Sequence, residues 1–211
     1  MALNCSCPLE STLPTVGDST CTFDIDQVIR LAFQLPQDAA PFADGTAIAT
    51  QSNWTTLIGA SDATKIIVSP FISGFTIPSS EGAFEGGDDN STVDGLPLYK
   101  GENTVTMEGM FKSAQPSVIK QLKNLVCFAI STTGSSNLTV FMLTGKNEVV
   151  SMDDFKGITI NNLRFGSRGS EGYRTSDMVP FSFNMKGDWD NDIDKTTLLF
   201  DPRSLVNGAG S

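Results

Sequence analysis

The stretch MVPFSFNMKG, residues 178–187, decides the fold. Val179, Phe181, Phe183 and Met185 fall on alternate positions, with Pro180, Ser182 and Asn184 between them. A two-residue period puts one set of side chains on one face of an extended chain, so the segment reads as a strand with one buried face. Such a strand needs neighbours, and the flanking sequence supplies them. GITINNLRFG (157–166) is a second strand, joined to the first through the turn region GSRGSEGYR (166–174). NLTVFMLTG (137–145) and NEVVSMD (147–153) meet at Gly145 and Lys146 and form a hairpin. Downstream, TTLLFDP (196–202) closes the set.

Toward the N-terminus, NTVTMEGMF (103–111) alternates Val105, Met107 and Gly109 against polar residues, another strand. SAQPSVIKQLKNLVCF (113–128) breaks the pattern. Val118, Ile119, Leu122, Leu125 and Val126 recur at three- and four-residue steps, and Pro116 suits a first helical turn. This is an amphipathic helix, capped by Ser113 or Gln115. KIIVSPFIS (65–73) is a strand whose Pro70 marks an edge or a bend, and SNWTTLIGAS (52–61) is a short helix with Ser52 as its cap. In CTFDIDQVIRLAFQL (21–35) the apolar residues fall largely on odd positions, giving a half-buried strand that ends at Pro36. Val28, Leu31 and Phe33 blur that period and leave a helical middle open. Residues 1–20 form an irregular arm, and 73–103 form a long loop. That loop carries the acid- and glycine-rich run EGAFEGGDDNSTVDGLPLYKGEN, yet also Phe75, Ile77, Phe84, Leu96, Leu98 and Tyr99, which need cover from the domain's own flank or a neighbouring subunit. The expected fold is mainly β: a sandwich or barrel of about seven or eight strands. It occupies one domain, 21–206, with a flanking helix at 116–127 and a short tail at 207–211.

Chemistry is mostly excluded. The chain has no histidine, which removes the commonest general base and the imidazole metal ligands. The one arresting constellation is GDWDNDIDKTTLLF (187–200), where Asp188, Asp190, Asp192 and Asp194 alternate. Read as a calcium loop from Asp188, its sixth position is Ile193 instead of glycine and its twelfth is Leu199 instead of glutamate; its flanks are strands, not helices. The expected role is a polar connection between strands. Cys5, Cys7, Cys21 and Cys127 lack the two close pairs of a structural zinc site and are expected to be reduced thiols. No catalytic, cofactor-binding or metal residue is therefore expected. MALNCSCPLE does not read as a signal peptide, no apolar run reaches membrane-spanning length, and the N-x-[ST] sequences at Asn4, Asn53, Asn90 and Asn137 read as chance matches. A net charge of −10 disfavours binding to nucleic acid or anionic membranes.

Several stretches resemble virion structural proteins of tailed bacteriophages, especially those of Bacteroidetes hosts: MALNCSCPL…LPT, FDIDQVIRLAFQ, SDATKIIVSPFIS, EGGDDNSTVDGLP and QPSVIKQLKNL. Within that group the layout is most similar to a tail tube, or major tail, protein. The resemblance implies a non-enzymatic subunit of the virion tail, assembled in the host cytoplasm into stacked, typically hexameric rings alongside other tail proteins. It implies that Pro116–Cys127 is the flanking helix, that 73–103 reaches the next subunit, and that the arm and LVNGAGS touch adjacent copies. DNA would pass through such a tube without specific binding. An acidic wall serves that purpose, and Glu81, Glu85, Asp88, Asp89, Asp188, Asp190, Asp192 and Asp194 are its candidates as lumen or loop residues. A capsid decoration or head–tail joining protein is the alternative. A carbohydrate-binding sandwich is disfavoured by the two tryptophans and two tyrosines.

Overall fold

A computed structural model describes residues 23–87, 95–129, 138–173 and 175–207. The 1–20 arm, the four cysteine sites as side chains, Asp88 and Asp89, and tail residues 208–211 lie outside the described residues. The elements run β1 (Val28–Gln34), α1 (Gly45–Ala49), α2 (Gln51–Gly59), β2 (Ile66–Val68), β3 (Ile72–Thr76), β4 (Gly82–Glu85), β5 (Leu98–Glu102) and β6 (Val105–Lys112). They continue with α3 (Pro116–Ala129), β7 (Leu138–Thr144), β8 (Glu148–Met152), β9 (Ile158–Phe165), β10 (Met178–Met185) and β11 (Ile193–Thr197). The fold is mainly β: a nine-stranded antiparallel sheet, a separate β4–β5 hairpin and a few short helices.

The large sheet runs β11-β8-β7-β9-β10-β6-β3, with β1 and then β2 branching from β7. β7 is the pivot. One of its edges is filled by β1, with Leu31 opposite Met142 and Phe33 opposite Val140; its other edge is shared between β8 and β9. β9 in turn leaves β7 near Ile160 and joins β10 near Asn161. Asn162, at φ 54°, sits where this hand-over occurs, and asparagine tolerates that left-handed conformation better than most residues. The bend folds the sheet so that its two halves enclose one apolar cluster, which includes Leu31, Phe33, Val140, Met107, Phe181 and Phe183. Ile119, Leu122 and Leu125 of α3 close that cluster. Gly109 makes room for it, since a Cβ there would stand 2.7 Å from the Phe181 ring.

A second cluster covers the opposite face of β1 and β7. Trp54 and Ile58 of α2, Ile48 of α1, Phe42, Leu198 and Leu205 pack on Ala32, Phe141, Leu143 and Val149. Both faces of β1 and β7 are thus buried along their whole lengths. This corrects the half-buried reading of 21–35: a strand covered on both sides reads as a continuous apolar run, not as an alternation. The buried charged side chain in that run, Arg30, is held by carbonyls. Its Nε donates to Ser69 O at 2.8 Å, and Nη1 donates to Pro202 O at 3.3 Å and to Leu205 O. Burial lowers its pKa from the ordinary arginine value.

Other local readings change with context. KIIVSPFIS is two strands: Pro70 separates β2, which pairs with β1, from β3, which pairs with β6 across the sandwich. The cap of α2 is Thr50, without a side-chain bond, and not Ser52, because a further short helix, α1, ends at that point. Asp44 caps α1 by accepting from Ala47 N at 2.8 Å. TTLLFDP ends its pairing at Thr197; beyond it the chain swings onto α1, where Leu199 N donates to Ala49 O. The chain then runs past Leu205 to Asn207, whose amide donates to Val68 O at 2.6 Å and accepts from Val68 N at 2.9 Å on the outer edge of β2.

Candidate assembly surface

Segment 73–103 is not the plain loop its composition suggests. β3 runs into it as far as Thr76, and β4 and β5 pair with one another, Phe84 opposite Tyr99 and Glu85 opposite Leu98. The six apolar residues of the segment divide. Phe75 and Ile77 pack on the main core, with the Phe75 ring 6.2 Å from that of Phe181. Phe84, Leu96, Leu98 and Tyr99 are each half or more exposed, at 62, 66, 53 and 50%. Phe84 and Tyr99 meet edge to face at 5.6 Å. Glycines frame the hairpin, with Gly86, Gly87, Gly95 and Gly101 all at positive φ, a conformation L side chains rarely adopt.

Its base is fixed by polar contacts. Asn103 N donates to Glu81 O at 2.8 Å, and Tyr99 Oη donates to Glu102 Oε1 at 2.6 Å. Lys100 pairs with Glu85 at 2.6 Å, which holds the Glu85 carboxyl below the usual range. The Tyr99 hydroxyl, with a smaller contribution from Ser80, likewise lowers the Glu102 carboxyl, and the same bond raises Tyr99 above the ordinary phenol value. The sign follows from the two directions. A carboxyl whose folded pKa is lowered contributes stability above its unfolded value, ~4.3, and loses it as pH falls through the lower folded value. A phenol whose folded pKa is raised contributes below ~10 and loses it as pH rises through the raised value. Backbone amide shifts of Glu102 and Asn103, followed by NMR, are therefore expected to hold level between these limits and to move at both ends. A flat response below pH 4 sinks the Glu102 brace.

The acids of 187–194 lie at this same base. A Cβ on Gly187 would stand 2.2 Å from Glu102 Cβ and 2.5 Å from Asn103 O, so only glycine admits the approach. Asp188, Asp190 and Asp192 occupy the turns that follow, while Asp194 belongs to β11, where its Oδ1 accepts from Lys195 N. The connection between strands is thus shorter than its four aspartates suggest. Asp190 and Asp194 are exposed and Asp188 and Asp192 half-buried; Asp192 O accepts from Asp153 N at 2.8 Å. Among the described residues no three acids or thiols converge as metal ligands. Glu81 and Glu85 are exposed on the hairpin side.

The clefts offer little chemistry. One of about 380 Å³ is lined by Gln34, Gln37, Asp153, Asp154, Lys156 and Asp192, but Lys156 pairs with Asp154 at 2.9 Å. The Thr139 hydroxyl beside it donates to the Gln34 carbonyl. Another, of about 460 Å³, is bounded by Phe33, Leu35, Ile67, Leu125 and Leu138. No helix among the described residues is long and apolar enough to cross a membrane.

No family model matches the chain, and no curated protein matches it. Among solved structures the chain is similar to a chain from the tail of an empty GTA particle, determined with helical refinement in C6 symmetry. The identity is 8% and the TM-score 0.35, over 65% of this chain and 89% of that one. It is also similar to a chain of the six-fold symmetrised baseplate of the anti-feeding prophage, at 11% identity and a TM-score of 0.32, over 85% of this chain and 99% of that one.

Proposed function

We propose that the protein is a structural subunit of a phage tail tube, whose copies close into rings that stack into a conduit for DNA. The observation that carries this reading is the β4–β5 hairpin. Among the described residues it pairs with no other strand, and it presents Phe84, Leu96, Leu98 and Tyr99 to solvent. An isolated two-stranded hairpin is marginal in water, and clustered exposed apolar side chains mark contact surfaces. A neighbouring subunit supplies the missing cover. The tail-tube resemblance of the sequence supports the same role, and six is the ring size it implies.

Charge supports the conduit. At −10 per chain, a ring of copies repels phosphate, so DNA moves past the wall without adhering to it. The eight acids singled out in the sequence are proposed to contribute to that field. A channel wall measured as neutral or basic in assembled tubes would remove this part of the reading.

The deciding experiment is negative-stain electron microscopy of the purified protein over a concentration series, beside a Phe84→Ser/Leu98→Ser variant. Rings and tubes with a central hole are expected from the parent. The variant should keep its circular dichroism spectrum, because both side chains are exposed, and yet fail to assemble. Monomers or closed trimers at every concentration overturn the proposal in favour of a capsid decoration role.

A further inference from the structure

Asn207 is both a structural contact and a reactive group. Gly208 follows it, and no other asparagine in the sequence precedes a glycine. Glycine has no Cβ to crowd its own nitrogen or to restrict the main chain. An Asn-Gly step is therefore where a main-chain nitrogen most readily reaches the asparagine Cγ. In this fold the same side chain is tied to β2. Its Nδ2 donates to Val68 O at 2.6 Å, and its Oδ1 accepts from Val68 N at 2.9 Å. Asn207 is itself exposed, so water reaches it. Two residues upstream the chain is firmly held, because Leu205 is buried and its carbonyl accepts from Arg30 Nη1. Asn207 thus has a reactive neighbour, access to water and a tie of two hydrogen bonds.

We propose that Asn207 is a site of self-deamidation, gated by its two bonds to Val68. The reaction needs only the chain and water. The Gly208 nitrogen attacks Asn207 Cγ. A new N–Cγ bond forms, the Cγ–Nδ2 bond breaks, and the proton from the attacking nitrogen leaves with the amide group as ammonia. Water then opens the succinimide at one of its two carbonyls, giving aspartate or isoaspartate at 207. No oxidant or reductant takes part. Attack requires Cγ to turn back on its own main chain, and a side chain held through both its oxygen and its nitrogen lacks that freedom. Local opening of the tie comes first and sets the rate. The product differs from the reactant where β2 is touched. A carboxylate has no proton to donate, so the bond to Val68 O is lost and two oxygens are left facing one another. Isoaspartate also lengthens the main chain by one methylene. Since ammonia departs, the change runs one way, and it accumulates with the age of the molecule.

The test ages the full-length chain in mildly alkaline buffer, with and without urea, and follows the peptide containing residue 207 by mass spectrometry. Conversion of amide to acid is expected at 207 ahead of every other asparagine. It is expected to be about tenfold or more slower in the native protein than in urea. Gly208→Ala is expected to suppress the reaction in both states. Asn207→Asp, the product made directly, is expected to keep the parent's circular dichroism spectrum, because the side chain lies outside both apolar clusters. It is expected to be cut by trypsin after Arg203 severalfold faster than the parent. Equal rates with and without urea, or conversion at 207 no faster than at the other asparagines, overturn the proposal. An Asn207→Asp protein cut at the parent's rate overturns the structural consequence drawn from it.

Discussion

Trp54→Ala is expected to lower the stability of the fold by about 3–5 kcal/mol, the range for emptying a large aromatic site in a core. Trp54 is fully buried and is the hub of the second cluster. Its ring lies 4.8 Å from that of Phe42 and 5.5 Å from that of Phe141, and its Nε1 donates to Ile48 O at 2.6 Å. Alanine removes three sets of contacts at once: α2 against the sheet, the Phe42 segment against both, and the tie to α1. Trp54→Phe separates the terms. It keeps most of the ring and leaves the Ile48 carbonyl unsatisfied, at about 1–3 kcal/mol. Denaturant midpoints followed by circular dichroism measure both; a Trp54→Ala protein as stable as the parent would mean the second cluster does not hold the helices.

Arg30→Ala is expected to detach the C-terminal segment. The guanidinium is buried against carbonyls from Ser69, Pro202 and Leu205, with no carboxylate in its hydrogen-bond set among the described residues. It therefore acts as a cross-link between β1 and a segment more than 170 residues away. Removing it takes the donor from the Ser69 and Leu205 carbonyls, each loss costing about 1–3 kcal/mol, while Pro202 O keeps its bond from Leu205 N. Arg30→Lys keeps the charge but not the fork, and one ammonium cannot face all three carbonyls in the same geometry. The expected order of stability is parent, then Lys, then Ala. The specific readout is limited trypsin cleavage after Arg203, slow in the parent and rapid in Arg30→Ala; equal rates in both would show that the segment is held without Arg30, by Leu205 and Asn207.

What the sequence disclosed depended on how many faces an element buries. Residues 178–185 were legible because one face of β10 is core and the other is not, so Val179, Phe181, Phe183 and Met185 alternate with less buried residues. β1 and β7 were recognisable as strands, but their double burial was not, since the cover on each side comes from remote segments such as α2 and Leu205. The hairpin was hidden for the opposite reason. Exposed on both faces and broken by glycines, β4 and β5 carry no alternation to detect. α1 spans five residues, too few to show a helical period. Of the candidate site, the apolar residues needing cover were visible in 73–103, but their division between core and solvent was not. That the acids of 187–194 stand against the hairpin base was equally invisible, because it requires knowing that Gly187 meets Glu102 and Asn103.

The amide of Asn207 has a consequence for how the protein behaves in a test tube. It occupies both hydrogen-bonding groups of Val68, the outward groups of a strand that, among the described residues, has a partner strand on one side only. Open sheet edges recruit strands from other molecules and seed aggregates. A single side chain here blocks that route as a terminal strand would. A chain clipped before Asn207 keeps its core yet loses the stopper, and is expected to precipitate where the intact chain stays in solution.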